Sequence, residues 1–421
     1  MLTRRLFLKA GGVALVTVGV GGGPAFLARA ALAAPGTGST SSRRRKVLVT
    51  IFQRGAMDGL AAVPPIDASD LKSLRPRLAM SGARSAGDAA LLDLETGFGL
   101  HPALEPLLSL WKEKRLAIVH AVGSPDPTRS HFDAQDFMES GTPGRKGTPD
   151  GWLNRAVGLM GHDGSPFRAV AMTPALPRSL YGGQPALAVT NLADFKVQLP
   201  GADRTAAVAG QGFEALYEQT SQELLRDTGG ETFRAVHMLS AAEIERYRPA
   251  AGAEYPQTPL GNALRQIALL VKSDVGLEIA FAESGGWDTH VQQAASFARQ
   301  ARDLALAIRA FWTDLGPYQD QVLLTTMTEF GRTVRENGSG GTDHGHGSCL
   351  FVLGNKVDGG KIHGAFPADL APGALYEGRD LPVTTDFRAV FCELAGRHLG
   401  VKDDARLFPG WTGKRLPLLK T

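Results

Sequence analysis

Cysteine is scarce in this sequence, because Cys349 and Cys392 are the only two among 421 residues. A pair of cysteines can form one bridge at most, so a disulfide framework is excluded as the main source of stability. A single bridge between them is possible by composition, but two buried free thiols are what we expect. Aromatic residues are also sparse, at 7% of the chain.

An excess of charge of one sign is lacking as well. The chain has 45 lysines and arginines against 42 aspartates and glutamates, for a net charge of +3. The one basic run, at residues 43–46, lies in a Gly/Ser/Thr-rich stretch and is typical of a solvated linker. The composition therefore predicts no nucleic-acid partner.

The long hydrophobic runs of a membrane protein are missing too, and the best apolar stretch belongs to a signal peptide. Residues 10–27 are apolar but rich in glycine, and small residues at 31–33 offer a cleavage site. We predict a twin-arginine signal peptide over residues 1–33, with an uncleaved anchor as the alternative. The twin-arginine consensus is matched by Thr3, Arg4, Arg5, Phe7, Leu8 and Lys9.

The signal predicts the route and the destination of the chain. The twin-arginine translocase is the expected partner during export, and it moves proteins that have already folded. We therefore expect a periplasmic or extracellular protein with no stable transmembrane span after cleavage. A chain that folds before export can carry a metal acquired in the cytoplasm, so the signal also favours a bound metal.

Short apolar runs alternate with amphipathic helices in the mature chain. This order is typical of βαβ units, and it predicts an α/β fold: a three-layer α/β/α sandwich around a mainly parallel sheet. We divide the chain into the signal at 1–33, a flexible linker at 34–45, and one domain at 46–421 with a mostly helical insertion around 195–270. The predicted strands are 46–52, 116–122, 168–172, 276–283, 322–327 and 349–353, and the main predicted helices are 102–114, 291–315 and 386–399.

Acids and histidines follow the predicted strands. Because ligand sites of parallel sheets form at the carboxyl ends of the strands, these side chains are candidates for one site. Carboxylate and imidazole together suit divalent metals such as zinc or manganese, and seven candidates suggest two ions. The predicted ligands are Asp58, Asp288, His290, Glu329, Asp343, and His344 or His346 or both.

Each candidate ligand also has a structural alternative. Asp58 and Asp288 can cap helices, and Glu329 can form a salt bridge with Arg332. His290 can pack at the start of the next helix. The His-Gly loop at residues 341–347 can face solvent and bind metal only adventitiously.

The turn at residues 128–131 holds the best candidate for a nucleophile. A hydroxyl at Ser130 lies between a strand and a helix, where a metal could lower its pKa. Arg129 or Arg332 could hold an anionic oxygen of the substrate. Alternatively, Ser130 caps the helix that follows, and His131 and Asp133 are further metal ligands.

Six segments resemble one family throughout the mature chain. They read GAMDGL (55–60), TRSHFDAQDFME (128–139), DGWLNR (150–155), GGWDTH (285–290), TEFGRTVRENGSGGTDHGHGS (328–348) and TTDFR (384–388). The chain is thereby identified as similar to the DUF1501 family of exported bacterial proteins. That family distantly resembles the alkaline phosphatase and sulfatase superfamily, which implies an alkaline-phosphatase-like sandwich with metals at the carboxyl edge.

The sequence departs from these patterns at two places. Ala56 and Met57 replace a small polar pair before Asp58, and Glu329-Phe330 stands where the superfamily usually has Asp-His. The absence of a cysteine from the nucleophile turn argues against a formylglycine-type sulfatase.

The function that follows from the resemblance and the metal-type residues is an exported metal-dependent hydrolase acting on a small anionic ester, a phosphate or a sulfate. The alternative is a non-catalytic, metal-stabilised binding or assembly protein of the cell envelope. Hydrolysis of another type of bond is a third reading.

Overall fold

The computed structural model of the chain describes residues 45–66, 69–80, 82, 90–162, 164–192 and 247–420. The predicted signal peptide and nearly all of the linker lie outside the described residues. Residues 193–246, which make up most of the predicted helical insertion, also lie outside the described residues.

Apolar runs of strand length form one nine-stranded sheet, and a separate antiparallel pair joins β2 and β3. The strands are β1 (Val47–Gln53), β2 (Leu92–Asp93), β3 (Gly99–Leu100), β4 (Leu116–Gly123), β5 (Ala169–Ala171), β6 (Leu187–Ala188), β7 (Ile279–Ser284), β8 (Val322–Met327), β9 (Ser348–Leu353), β10 (Ile362–His363) and β11 (Thr385–Asp386).

The large sheet has the order β10-β4-β9-β8-β1-β7-β5-β6, with β11 also paired to β4. Strand β1 lies near its centre, with Leu48 in register with Ile279 on one side and with Leu323 on the other. All pairs are parallel except those of β9, which runs antiparallel to β4 and β8. The expectation of a mainly parallel sheet is confirmed.

The helices vary widely in length. They are α1 (Gly59–Ala62), α2 (Ser69–Leu74), α3 (Leu108–Lys112), α4 (His131–Ser140), α5 (Trp152–Leu159), α6 (Pro259–Lys272), α7 (Gln293–Leu315), α8 (Phe387–Leu394) and α9 (Asp404–Leu407). Short 3-10 helices occupy Pro102–Leu107, Arg178–Leu180, Gly316–Gln321 and Pro372–Ala374, and a π-helix occupies Ala395–Leu399.

Helices cover both faces of the sheet. All seven residues of β1 are buried, and its side chains alternate between two apolar clusters, with Val49 in one and Leu48 in the other. Helices α6 and α7 contribute to the Val49 cluster, whereas α5 and α8 contribute to the Leu48 cluster. In the second cluster Trp152 stacks on Phe391 with ring centroids 4.7 Å apart. A strand buried on both faces explains why β1 reads as a continuous apolar run.

Two predicted helices differ in detail from the observed ones. The segment predicted as a helix over 102–114 is a 3-10 helix followed by α3, because Pro106 lies inside it and has no amide hydrogen to donate. The helix predicted from 291 begins at Gln293, after Gln292 adopts a left-handed φ of 47°.

Cys349 and Cys392 are both buried and free, which confirms the expectation of two thiols. Within the described part of the chain, every helix is too short or too polar to cross a membrane.

Candidate metal centre

The strand ends place four polar side chains at one edge of the sheet. His131 is the first residue of α4, after β4, while Asp288 and His290 follow β7. His344 precedes β9. Because β9 runs antiparallel to β8 and β4, its beginning lies at the same edge as their ends. The reversed strand therefore brings His344 to the other three.

The ring nitrogens of the three histidines converge on one carboxylate. His344 Nε2 lies 3.0 Å from His131 Nε2 and 2.9 Å from His290 Nε2. Asp288 Oδ1 lies 3.0 Å from His290 Nε2, 3.3 Å from His344 Nε2 and 3.5 Å from His131 Nε2. Ligand atoms of His131, Asp288 and His344 all lie within 4.8 Å of one another.

In each of the three rings, the other nitrogen, Nδ1, forms a hydrogen bond with an oxygen acceptor. His131 Nδ1 is 2.9 Å from Glu329 Oε1, and His290 Nδ1 is 3.2 Å from Asp343 Oδ1. His344 Nδ1 is 2.8 Å from the carbonyl oxygen of Arg129. An ionised carboxylate or a carbonyl can only accept, so each Nδ1 carries the hydrogen.

These tautomers leave every neutral Nε2 with a lone pair directed into the cluster. The lone pair of His344 Nε2 lies about 3 Å from those of His131 and His290, and they repel each other unless a proton or a metal cation lies between them. A histidine that binds a metal through one nitrogen and donates from the other to an oxygen is the usual arrangement of metal sites. The donor set fits a divalent metal.

The spacing also fits an ion of zinc's size. Bonds of about 2.0–2.1 Å in a tetrahedral site place the ligand atoms about 3.3 Å apart. Within the group of His131, Asp288 and His344, the separations of 3.0, 3.3 and 3.5 Å lie around that value. The cluster is open on one side, since the Asp288 side chain is 44% exposed and that of His290 is 39% exposed. A metal site with access to solvent can admit a further ligand.

The protonation states follow from the neighbours. The hydrogen bond to Glu329 raises the pKa of His131, whereas burial lowers the pKa of His344. Burial opposes ionisation of Asp288, but Arg332 and the histidines outweigh it and hold the pKa of that carboxyl below its usual value. The carboxylate is therefore charged at neutral pH.

Glu329, predicted as a ligand, lies behind His131 instead of among the ligand atoms. Its buried Oε1 accepts from His131 Nδ1, from Gln135 Nε2 at 2.9 Å and from the amide of Gly55 at 2.8 Å. Burial opposes its ionisation, but these hydrogen bonds keep its pKa below the usual value. Glu329 thus orients a candidate ligand.

Asp58 lies in a separate cluster, which corrects its prediction as a ligand. It is buried, and Arg75 donates to both of its oxygens at 2.8 and 3.2 Å. Gln293 Nε2 donates to it at 2.6 Å, and the amide of Ala61 donates at 3.1 Å as the N-cap bond of α1. The helix-cap alternative describes this residue.

The choice between His344 and His346 falls on His344. His346 is buried and stacks on Tyr376 with ring centroids 4.5 Å apart, so its prediction as a ligand is corrected. Asp343 is corrected as well, because Oδ1 accepts from His290 Nδ1 and from Asn337 Nδ2 at 3.1 Å. It acts as an orienting partner.

Both predicted anion-binding arginines pair with carboxylates. Arg332 is buried and donates to Asp288 Oδ1 at 2.7 Å. The Arg129 guanidinium donates to Asp380 at 2.7 Å and to Glu377 at 2.6 Å. The assignment of either side chain to a substrate anion therefore competes with an existing ion pair.

Ser130 is the exposed N-cap residue of α4, directly before His131, and its side chain makes no capping hydrogen bond. Asp133, the other alternative ligand, forms a salt bridge with Lys146 at 2.7 Å. His131 is the candidate ligand that the main prediction left out. The signal for it was available: it stands at a strand end like the others.

A model of the family described as "Protein of unknown function (DUF1501)" matches residues 79–409. The resemblance seen in the motifs is thereby confirmed, although GAMDGL (55–60) precedes the matched region. A search of curated proteins finds no match. Among solved structures, a crystal structure of Ps i-CgsB in complex with k-i-k-neocarrahexaose is 8% identical, with a TM-score of 0.39, and the match covers 89% of this chain and 75% of that one. Similarity at this level carries no argument about fold or function.

Proposed function

The chain belongs to the DUF1501 family, and on that premise we propose that it is an exported, metal-dependent hydrolase of phosphate or sulfate esters. One observation carries the proposal: ligand atoms of His131, Asp288 and His344 lie within 4.8 Å of one another at a solvent-open edge, and His290 Nε2 lies 2.9 Å from His344 Nε2 and 3.0 Å from Asp288 Oδ1. We further propose an alkaline-phosphatase-like sandwich, which the mainly parallel sheet and the position of the site at its strand ends support.

Three residues would hold one divalent ion, zinc or manganese: His131, Asp288 and His344, with His290 as the candidate for a fourth ligand. The ion would supply a Lewis acid that polarises an ester oxygen and stabilises negative charge. Glu329 and Asp343 keep two of the rings in the tautomer that binds. The observed ligand atoms suffice for one ion, whereas the sequence suggested two.

Ser130 is the nucleophile in this proposal. It is exposed and directly precedes His131 in the chain, so its hydroxyl is accessible to solvent and belongs to the residue next to a candidate ligand. Its oxygen would bond to the phosphorus or sulfur while the ester bond breaks and the alcohol leaves with a proton. Water would then hydrolyse the serine ester and restore the hydroxyl.

A second candidate function is a metal-stabilised binding or assembly protein. The pairing of Arg129 and Arg332 with carboxylates favours this function, because these ion pairs account for the positions of both arginines without a substrate anion. The two functions differ in whether the centre turns over esters.

The test begins with the protein purified after export. We expect about one divalent ion per chain, lost in His131→Ala and in His344→Ala but kept in the control His162→Ala, which changes a half-exposed histidine elsewhere. Aryl phosphates, phosphodiesters and aryl sulfates are then screened. Ser130→Ala should keep the metal and lower turnover by about 10³-fold. A metal-loaded protein that is inactive on all three ester classes would rule out hydrolysis of these esters and favour the second function.

A further inference from the structure

Two large apolar side chains are exposed in the described part of the chain, and both adjoin the candidate metal centre. Phe132 is 90% exposed and Val291 is 61% exposed. Phe132 follows His131 and Val291 follows His290, so each α-carbon lies about 3.8 Å from that of a candidate ligand. Exposed apolar residues that cluster at a site indicate binding of an apolar surface.

The imidazole rings next to Phe132 and Val291 belong to the same cluster. The rings of His131 and His290 both contact His344 Nε2, at 3.0 and 2.9 Å. Phe132, on α4, and Val291, on the loop before α7, therefore each adjoin a histidine of the same cluster. Together they form what we term the apolar rim.

Three arginines beside the cluster already pair with carboxylates. Arg129 binds Asp380 and Glu377, Arg332 binds Asp288, and Arg379 binds Asp380 at 2.9 Å. A ligand with several separated charges would have to displace these pairs. A ligand with one anionic head needs only the ion of the centre, and its remainder meets the apolar rim.

We infer that the substrate is an ester with one anionic head group and an apolar alcohol portion, aryl or alkyl, which Phe132 and Val291 contact. This inference rests on the proposed function, since the head group is the phosphate or sulfate held at the centre. The two rim residues determine specificity, and they take no part in the bond-breaking step.

The experiment uses phosphonates and sulfonates, which keep the head group but cannot be hydrolysed. Binding of methylphosphonate and octylphosphonate, and of methanesulfonate and octanesulfonate, is measured by calorimetry on the zinc-loaded full chain. The octyl ligand of the preferred pair should bind about tenfold more tightly than the methyl ligand, because covering an exposed phenylalanine or valine contributes about this much.

Variants of the rim separate specificity from head-group binding. Phe132→Ser and Val291→Ser should each reduce the octyl-to-methyl ratio severalfold, while Phe132→Leu, which stays apolar, should retain it. Methyl-ligand affinity should stay at the wild-type value in all three. An octyl-to-methyl affinity ratio near one in the wild type would overturn this inference but not the proposed function. The same holds if both serine variants leave the ratio unchanged.

Two other outcomes are decisive. If neither head group binds, the proposed function fails and this inference fails with it. If the ratio is near one and Phe132→Ser converts a dimer into a monomer in sedimentation experiments, the rim is an interface between copies and the inference is wrong.

Discussion

At the scale of single residues, the hydrogen-bond acceptor of each histidine Nδ1 determines which ring nitrogen is free to bind a metal. Glu329, Asp343 and the carbonyl of Arg129 fix three tautomers, so three Nε2 lone pairs face Asp288. The spacing of residues along the chain gives no information on such partners, because Glu329 and His131 are 198 positions apart. Glu329 was therefore predicted as a ligand when its carboxylate orients one.

Glu329→Gln tests this role. The amide accepts a weaker hydrogen bond than the carboxylate, so His131 becomes a poorer ligand, and we expect metal affinity to fall about 10–100-fold. Affinity is measured by competition with a chelator of known strength. The matched control is Glu278→Gln, a buried glutamate paired with Arg168 at the other end of β7. Equal loss of affinity in both variants would contradict an orienting role.

At the scale of elements, the glycine-rich loop before β9 has to pass very close to other backbone. A Cβ at Gly341 would lie 2.3 Å from the carbonyl carbon of His290, and one at Gly345 would lie 2.4 Å from that of Arg332. These glycines are therefore required by close backbone approach on either side of His344. Their abundance near His344 is visible in the sequence, but the backbone contacts that require them are not.

Gly345→Ala should displace the loop and lower both stability and metal affinity. Overpacking against backbone costs about 1–3 kcal/mol, and it moves His344 away from the other ligands. Urea unfolding and a metal titration measure the two effects. Gly338→Ala is the control in the same loop, because a Cβ there would meet nothing within 4 Å. If the two variants behave alike, close approach is not what the glycine provides.

At the scale of the whole molecule, buried histidines make the fold sensitive to acid. Burial lowers the pKa of His101, His120 and His398 to about 4. The unfolded chain binds these protons near its ordinary pKa of about 6.5. The native state does not bind these protons until about pH 4. The free energy of unfolding therefore decreases as the pH falls from about 6.5 to 4, by up to about 1.4 kcal/mol per pH unit for each histidine.

His120→Gln should remove one such contribution. The free energy of unfolding, measured in urea with a chelator present, should fall less steeply between pH 6.5 and 4 than in the wild type, by up to about 1.4 kcal/mol per pH unit. His162→Gln, which removes a half-exposed imidazole, is the control. Parallel pH profiles for the wild type and His120→Gln would refute the assignment.

The predicted export signal also concerns the whole molecule. Replacing Arg4 and Arg5 together by lysine should abolish translocation, because the paired arginines are what the translocase reads. Fractionation of cells should then find the protein in the cytoplasm, and Arg43→Lys, in the linker run, should leave export unchanged. Export of the double variant at the wild-type level would exclude the twin-arginine route.

Periodicity and composition alone indicated the alternation of strands and helices, the mainly parallel sheet, the two free thiols and the edge where polar residues gather. These are local properties: an apolar run of strand length must be buried wherever the strand goes. The family was also recognisable, because its motifs are contiguous in the chain. The DUF1501 match over residues 79–409 confirmed it.

The selection among candidate ligands depended on contacts between distant segments. Asp58, His346, Asp343 and Glu329 had the right chemistry and the right place along the chain, yet Arg75, Tyr376, His290 and His131 bind or cover them. His131 joined the cluster because β9 reverses direction and brings His344 beside it. A side chain can bind a metal only if its lone pair points at the ion. Packing across the sheet edge sets that direction, and the neighbours of the residue in sequence do not.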